Sequence, residues 1–68
     1  MKIEEVKQCL NKPVKYKDAK NNRTVEYLFT GCILRKVGNT FFYQAELQDI
    51  KAKKSLMYCK LEDIEKGA

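Results

Sequence analysis

Histidine and tryptophan are missing from this chain of 68 residues, serine and proline occur once each, and glycine occurs three times. Without histidine the commonest general base is gone, and so is a usual ligand of structural zinc. Ser55 has no base to activate it, and Cys9 has no histidine beside it. Gly31, Gly38 and Gly67 are scattered, which excludes a phosphate-cradling loop. No apolar run approaches the ~20 residues that cross a bilayer. The start, Met-Lys-Ile-Glu-Glu-Val, lacks the unbroken apolar stretch of a secretory leader. Cys9, Cys32 and Cys59 are odd in number and form no Cys-x-x-Cys, so they read as free thiols in a reducing compartment. The expectations are a non-catalytic cytoplasmic protein with no metal, no cofactor and no membrane span. Glu62, Asp63 and Glu65 read as a solvated acidic turn, not as paired catalytic carboxylates.

Lysine is abundant. Fourteen basic residues against nine acidic ones give a net charge of +5. The excess gathers at Lys12, Lys15, Lys17, Lys20 and Arg23, and again at Lys51, Lys53 and Lys54. The acids collect near the ends, at Glu4, Glu5, Glu62, Asp63 and Glu65. Such a field favours nucleic acid, nucleotides or an acidic protein surface. The bland reading is that lysines keep a small protein soluble and guard sheet edges. A chain of this length makes one domain, residues 1–68, and buries only ~60% of its unfolded surface.

Residues 2–10 read as a short helix with Ile3, Val6 and Leu10 on one stripe, closed by Asn11 and stopped by Pro13. Strands follow within residues 13–61. Val14 and Tyr16 alternate with Lys15 and Lys17, then a polar loop turns at Asn21-Asn22. In the long run from Val25 to Val37 the inward set is Val25, Tyr27 and Phe29 before Gly31, and Cys32 and Leu34 after it. That slip of one residue predicts a β-bulge and a bent strand. Gly38-Asn39 then predicts a two-residue hairpin turn. In that register Val37 meets Thr40, Leu34 meets Tyr43 and Cys32 meets Ala45. These pairs are read as one face extended by Leu47, with Ile33 and Arg35 opposite Gln44 and Phe42 on the other. Phe41, Tyr43, Ala45 and Leu47 are expected to face in, as are Met57, Cys59 and Leu61. Residues 50–54 form a basic connection, partly extended, and one helical turn from Leu61 plants Ile64 on the core. Lys66-Gly67-Ala68 is expected to fray.

The sum is a mainly β fold, a small antiparallel barrel of four to five strands with a short N-terminal helix. Its layout over residues 2–64 resembles the SH3-like, Tudor-like and Sm-like small barrels. The chain has no Asp-x-x-Met-Asn around Leu34–Phe42 and no Arg-Gly pair in the fourth strand, so the likeness to Sm-like chains is one of layout. The segments Leu28-Phe29-Thr30-Gly31-Cys32-Ile33-Leu34-Arg35 and Phe42-Tyr43-Gln44-Ala45-Glu46-Leu47-Gln48-Asp49 resemble short uncharacterised proteins of clostridial phages and mobile elements. That likeness implies a phage or mobile-element origin, a host-cell cytoplasm, and roles in DNA handling or in countering host defence.

The outward set brings rings beside cations, the combination that stacks bases and neutralises phosphates. The candidate ligand-binding residues are Lys15, Lys17, Arg23, Arg35, Phe42, Gln44, Lys51, Lys53, Lys54, Tyr58 and Lys60. The expected partner is nucleic acid or a nucleotide. The alternative is an anti-defence protein that inhibits a host enzyme by direct binding, or that sequesters a cyclic nucleotide messenger as an oligomer. Outward Ile33, Phe42 and Leu56 are expected to bury against another copy in a homo-oligomer.

Overall fold

The computed structural model describes residues 1–52 and 54–67. A 3-10 turn over Ile3–Glu5 leads into a single α-turn, α1 (Val6–Cys9). This is shorter than the apolar stripe predicts, and its face is different. Val6 and Cys9 are buried while Ile3 is exposed. A 3-10 start rotates each residue further than an α-turn does, which carries Ile3 off the Val6 line. Asn11 takes the left-handed conformation (φ 64°), which asparagine tolerates at a helix end. Its N–H donates to the Phe29 carbonyl (2.6 Å), and the Phe29 N–H donates to the Lys12 carbonyl (3.0 Å). The helix is thereby fixed over the middle of the sheet.

Five strands follow: β1 (Pro13–Asp18), β2 (Arg23–Val37), β3 (Thr40–Gln48), β4 (Leu56–Lys60) and β5 (Ile64–Lys66). They form one antiparallel sheet in the order β4-β3-β2-β1-β5. A 3-10 turn, Leu61–Asp63, joins β4 to β5. The strands therefore extend past residue 61. The turn plants Ile64 in the core as predicted, but Ile64 also begins a strand that pairs with β1, Tyr16 opposite Ile64 and Val14 opposite Lys66. Nor does Gly67 fray into space: a Cβ there would fall 2.4 Å from the Pro13 carbonyl oxygen. Lys51 and Ala52 are not extended; their N–H groups both donate to the Asp49 carboxylate (2.8 Å each) and turn the chain.

The hairpin register is the predicted one: Val37–Thr40, Arg35–Phe42, Leu34–Tyr43, Ile33–Gln44 and Cys32–Ala45. It shifts between Phe29 and Gly31, so Thr30 is the extra residue of the bulge. Gly38 alone of the turn pair has positive φ (60°), the pattern of a type II′ turn. One facial assignment needs correction. Val37 lies three residues from Leu34, so the pleat puts the Val37–Thr40 pair with Arg35–Phe42, and Lys36–Phe41 with Leu34–Tyr43.

The core is Val6, Cys9, Val14, Phe29, Ala45, Leu47, Leu61 and Ile64, with Tyr16, Tyr27, Cys32, Met57 and Cys59 packed around it. Phe29 and Leu47 sit opposite each other and have no exposed surface. Each contributes about 1.5–3 kcal/mol by leaving water. The core ends at the Cys32–Ala45 pair. Beyond it the hairpin projects as an arm, and the inward-phased Leu34, Phe41 and Tyr43 are 57%, 61% and 39% exposed. Their alternation is as predicted; the helix and β5 are too short to cover them.

Candidate ligand-binding face and the adjoining sheet edge

Three strands build the outer face. β2 supplies Ile33 and Arg35, β3 supplies Phe42, Gln44 and Glu46, and β4 supplies Tyr58 and Lys60. Ladder pairing sets these side by side: Arg35 with Phe42, Ile33 with Gln44, Gln44 with Lys60, and Glu46 with Tyr58. The Arg35 Nε donates to Gln44 Oε1 (2.5 Å), which fixes the guanidinium plane on this face. A ring–cation contact lies on the other side of the arm, where Lys36 Nζ is 5.5 Å from the Phe41 centroid.

Glu46 is the residue that composition and spacing did not single out. It receives the Thr30 hydroxyl at Oε1 and the Tyr58 hydroxyl at Oε2, both at 2.8 Å. These donations, Thr30 first, hold its carboxyl below the usual carboxylate range. The same bond pushes the Tyr58 phenol up, Glu46 being both acceptor and neighbouring charge. Glu46 thus anchors the ring and keeps its own negative charge. The bulge explains the contact, because the extra residue Thr30 reaches Glu46 across the ladder. A glutamate in an alternating strand gives no sequence signal for it.

The remaining candidate cations fall elsewhere. Lys17 forms an ion pair with Glu65 (2.5 Å), which lowers the Glu65 pKa, and Arg23 lies 3.7 Å from Asp18. Lys15 stands between Glu26 and Glu65 in the ladder. The basic stretch of β1 is therefore met by acids from β2 and β5. Lys51 and Lys54 sit exposed in the connection after β3, apart from the ring cluster, and Lys53 lies outside the described residues. Of the predicted set, Arg35, Phe42, Gln44, Tyr58 and Lys60 are brought together; Lys15, Lys17, Arg23, Lys51 and Lys54 are not part of that cluster.

Phe42 is half-buried and Tyr58 exposed, so a ligand would meet one ring partly and the other fully. Of the outward apolar residues expected to meet another copy, Leu56 is exposed and Ile33 half-buried. Among the described residues no three His, Cys, Asp or Glu side chains gather as a metal site, and no helix is long and apolar enough to cross a membrane.

Beside this face runs a length of β3 that, among the described residues, has a strand partner only on its β2 side. The β3–β4 ladder ends at Gln44–Lys60, and the chain then turns away through Leu61–Asp63. That leaves an open groove of about 530 Å³ lined by Met1, Ile3, Phe42, Tyr43, Lys60, Leu61 and Glu62. The Met1 amino nitrogen donates to the carbonyls of Leu61 (3.0 Å) and Ile64 (2.6 Å), which holds the groove's far wall.

No protein-family model matches the chain, and neither a curated protein nor a solved structure matches it.

Proposed function

We propose that this chain is a non-catalytic binding module that takes an anionic ligand, a nucleotide or a short length of nucleic acid, on the Arg35–Phe42–Gln44–Tyr58–Lys60 face. The observation that supports it is the register that gathers two cations, two rings and an amide on adjoining rows of three strands. Phosphate oxygens suit Arg35 and Lys60, and a base suits Tyr58 and the open part of Phe42. The charge favours a compact ligand. Of the face's two cations, Lys60 lies 4.0 Å from Glu62 and Arg35 is bonded to the neutral Gln44, while Lys15 and Lys17 of β1 face Glu65 and Arg23 lies 3.7 Å from Asp18. The strand order, with a 3-10 turn before the last strand, is in keeping with the layout of a small SH3-like or Sm-like barrel, here an open one, since no ladder joins β4 to β5 among the described residues. A phage or mobile-element origin and action in the host cytoplasm rest on the likeness of Leu28–Arg35 and Phe42–Asp49 to such proteins.

The test is fluorescence anisotropy at low salt with a labelled single-stranded oligonucleotide and with labelled mono- and cyclic nucleotides. Binding that is weakened in Arg35→Ala and in Lys60→Gln, and unchanged in Lys17→Gln, supports the reading. Absence of binding to every probe removes it. In that case the reading left is a protein that inhibits a host enzyme by docking on it, which the exposed apolar arm of Leu34, Phe41 and Tyr43 favours.

A further inference from the structure

The arm has a free edge as well as a free face. A two-residue loop makes Val37 and Thr40 the closing hydrogen-bonded pair. Alternation then directs the N–H and C=O of Phe41 and Tyr43 away from β2. The phase agrees further along, where the Asp49 N–H, on the same parity, donates to the Ser55 carbonyl on the β4 side (3.0 Å). Among the described residues no strand pairs with β3 on that side before Gln44. Phe41 and Tyr43 therefore present two donors and two acceptors along this edge, Tyr43 at the wall of the groove, and their rings are the exposed rings of the arm's inner face.

We infer that this edge pairs with the same edge of a second copy, β3 against β3 in antiparallel register about a twofold axis at Phe42. The spacing is self-complementary. Phe41 of each copy opposes Tyr43 of the other, and four backbone hydrogen bonds form between residues that have none on that side within one chain. The pairing also carries each Phe41 ring toward the groove between Tyr43 and the wall of Met1, Ile3 and Leu61. Taking ~200 Å² for a whole aromatic side chain, the two Phe41 rings and the walls they meet remove roughly 500 Å² of apolar surface from water. With the strand backbone added this stays below the ~1,200 Å² at which stable specific interfaces begin, so the dimer is weak and forms only as concentration rises. The arm's opposite edge, β2 beyond Phe29, carries Arg35 and Lys36 and has no ladder partner on that side among the described residues, and β5 at the end of the sheet carries Glu65 and Lys66, which suits edges kept unpaired.

Sedimentation of the ligand-free chain tests this. The expected result is an 8.0 kDa species when dilute that moves to twice that mass as concentration rises. Phe41→Glu, at an exposed position, is expected to stay monomeric with an unchanged circular dichroism spectrum. Phe42→Cys supplies a geometric readout. Residues facing across the axis as a non-hydrogen-bonded pair have Cα atoms ~4.5 Å apart, within disulfide range. Mild oxidation should join two copies through position 42, mapped by mass spectrometry, faster than through position 37 in Val37→Cys. A single 8.0 kDa species at every concentration overturns the inference. So does association untouched by Phe41→Glu, or cross-linking no faster at position 42 than at position 37.

Discussion

Salt dependence separates a compact ligand face from a diffuse basic surface more sharply than affinity does. If a single-stranded oligonucleotide meets only Arg35 and Lys60, it neutralises about two phosphates. The slope of log K against log salt is then about −1.4, at ~0.7 per phosphate. Raising salt from about 50 to 200 mM would weaken binding only ~7-fold. If instead all eight candidate cations, Lys15, Lys17, Arg23, Arg35, Lys51, Lys53, Lys54 and Lys60, met the strand, the slope would be about −5.6, a loss of ~2,000-fold over the same range. The Lys17–Glu65 pair, at 2.5 Å, is the physical reason to expect the shallow value, because Lys17 would have to leave a closely held acid to gain a phosphate, whereas Lys60 and Glu62 are 4.0 Å apart. Anisotropy titrations at four or five salt concentrations measure the slope directly. Arg35→Ala should flatten it by about 0.7, and Lys17→Gln should leave it unchanged. A slope steeper than about −4, or one that Arg35→Ala does not alter, refutes the assignment of the ligand to the outer face.

Three further outcomes follow from the geometry. Glu46 has a lowered folded-state pKa, so its ionised form stabilises the fold above the ordinary glutamate value, and that stability is lost as pH falls through the lowered one. Glu46→Gln should therefore lower Tm near neutrality, and the gap from wild type should close as pH falls below the ordinary glutamate range; a gap that is constant with pH contradicts the role given to Thr30 and Tyr58. Gly31→Ala should be tolerated, because the nearest atoms to a Cβ there belong to the Glu46 side chain, at ordinary contact distances of 3.6–3.9 Å, and the φ is not positive; a gain of about 0.5–1 kcal/mol is expected, and a large fall in Tm would mean the bulge needs glycine. Burial, with Asp63 nearby, pushes the Cys59 thiol up to about 11, so iodoacetamide at pH 8 should modify it roughly 20-fold more slowly than an ordinary thiol once the greater nucleophilicity of the scarcer thiolate is counted, followed by peptide mass mapping.

Much of the sheet can be read from residue order because its determinants are local. Gly38-Asn39 fixes the hairpin, and the change of phase between Phe29 and Cys32 fixes the bulge. Together they set which residues of β2 and β3 are opposite. The outer cluster inherits that legibility: Arg35, Phe42, Gln44, Tyr58 and Lys60 are neighbours because their strands alternate in phase. What alternation cannot tell is how far the cover extends. Leu34 and Tyr43 carry the same inward phase as Cys32 and Ala45, yet only the latter pair lies under another element. The neutralisation of Lys17 was equally hidden, since its partner Glu65 is remote in sequence and arrives only when Ile64–Lys66 becomes a strand. Glu46 looked like one more outward polar residue, because its two hydroxyl donors come from a bulge and from a different strand.

The edge pairing and the ligand face are not independent, and the pleat shows how they combine. Phe41 and Tyr43 point to one side of β3 and Phe42 points to the other. Joining two copies through β3 makes one continuous sheet, with both outer faces on the same side and the two Phe42 rings adjacent at the axis. Arg35 and Lys60 of each copy then flank a shared aromatic centre, and a bound strand could neutralise about four phosphates instead of two, a slope near −2.8. A ligand that spans the axis binds the dimer better than the monomer. By linkage it must strengthen association by the same factor. Adding oligonucleotide should therefore raise the dimer fraction in wild type, and shortening the oligonucleotide until it cannot cross the axis should abolish that rise while leaving binding to one copy. If a long oligonucleotide binds through Arg35 yet drives the chain toward monomer, the twofold axis does not run through Phe42, because the two faces would then have to compete for space instead of sharing it.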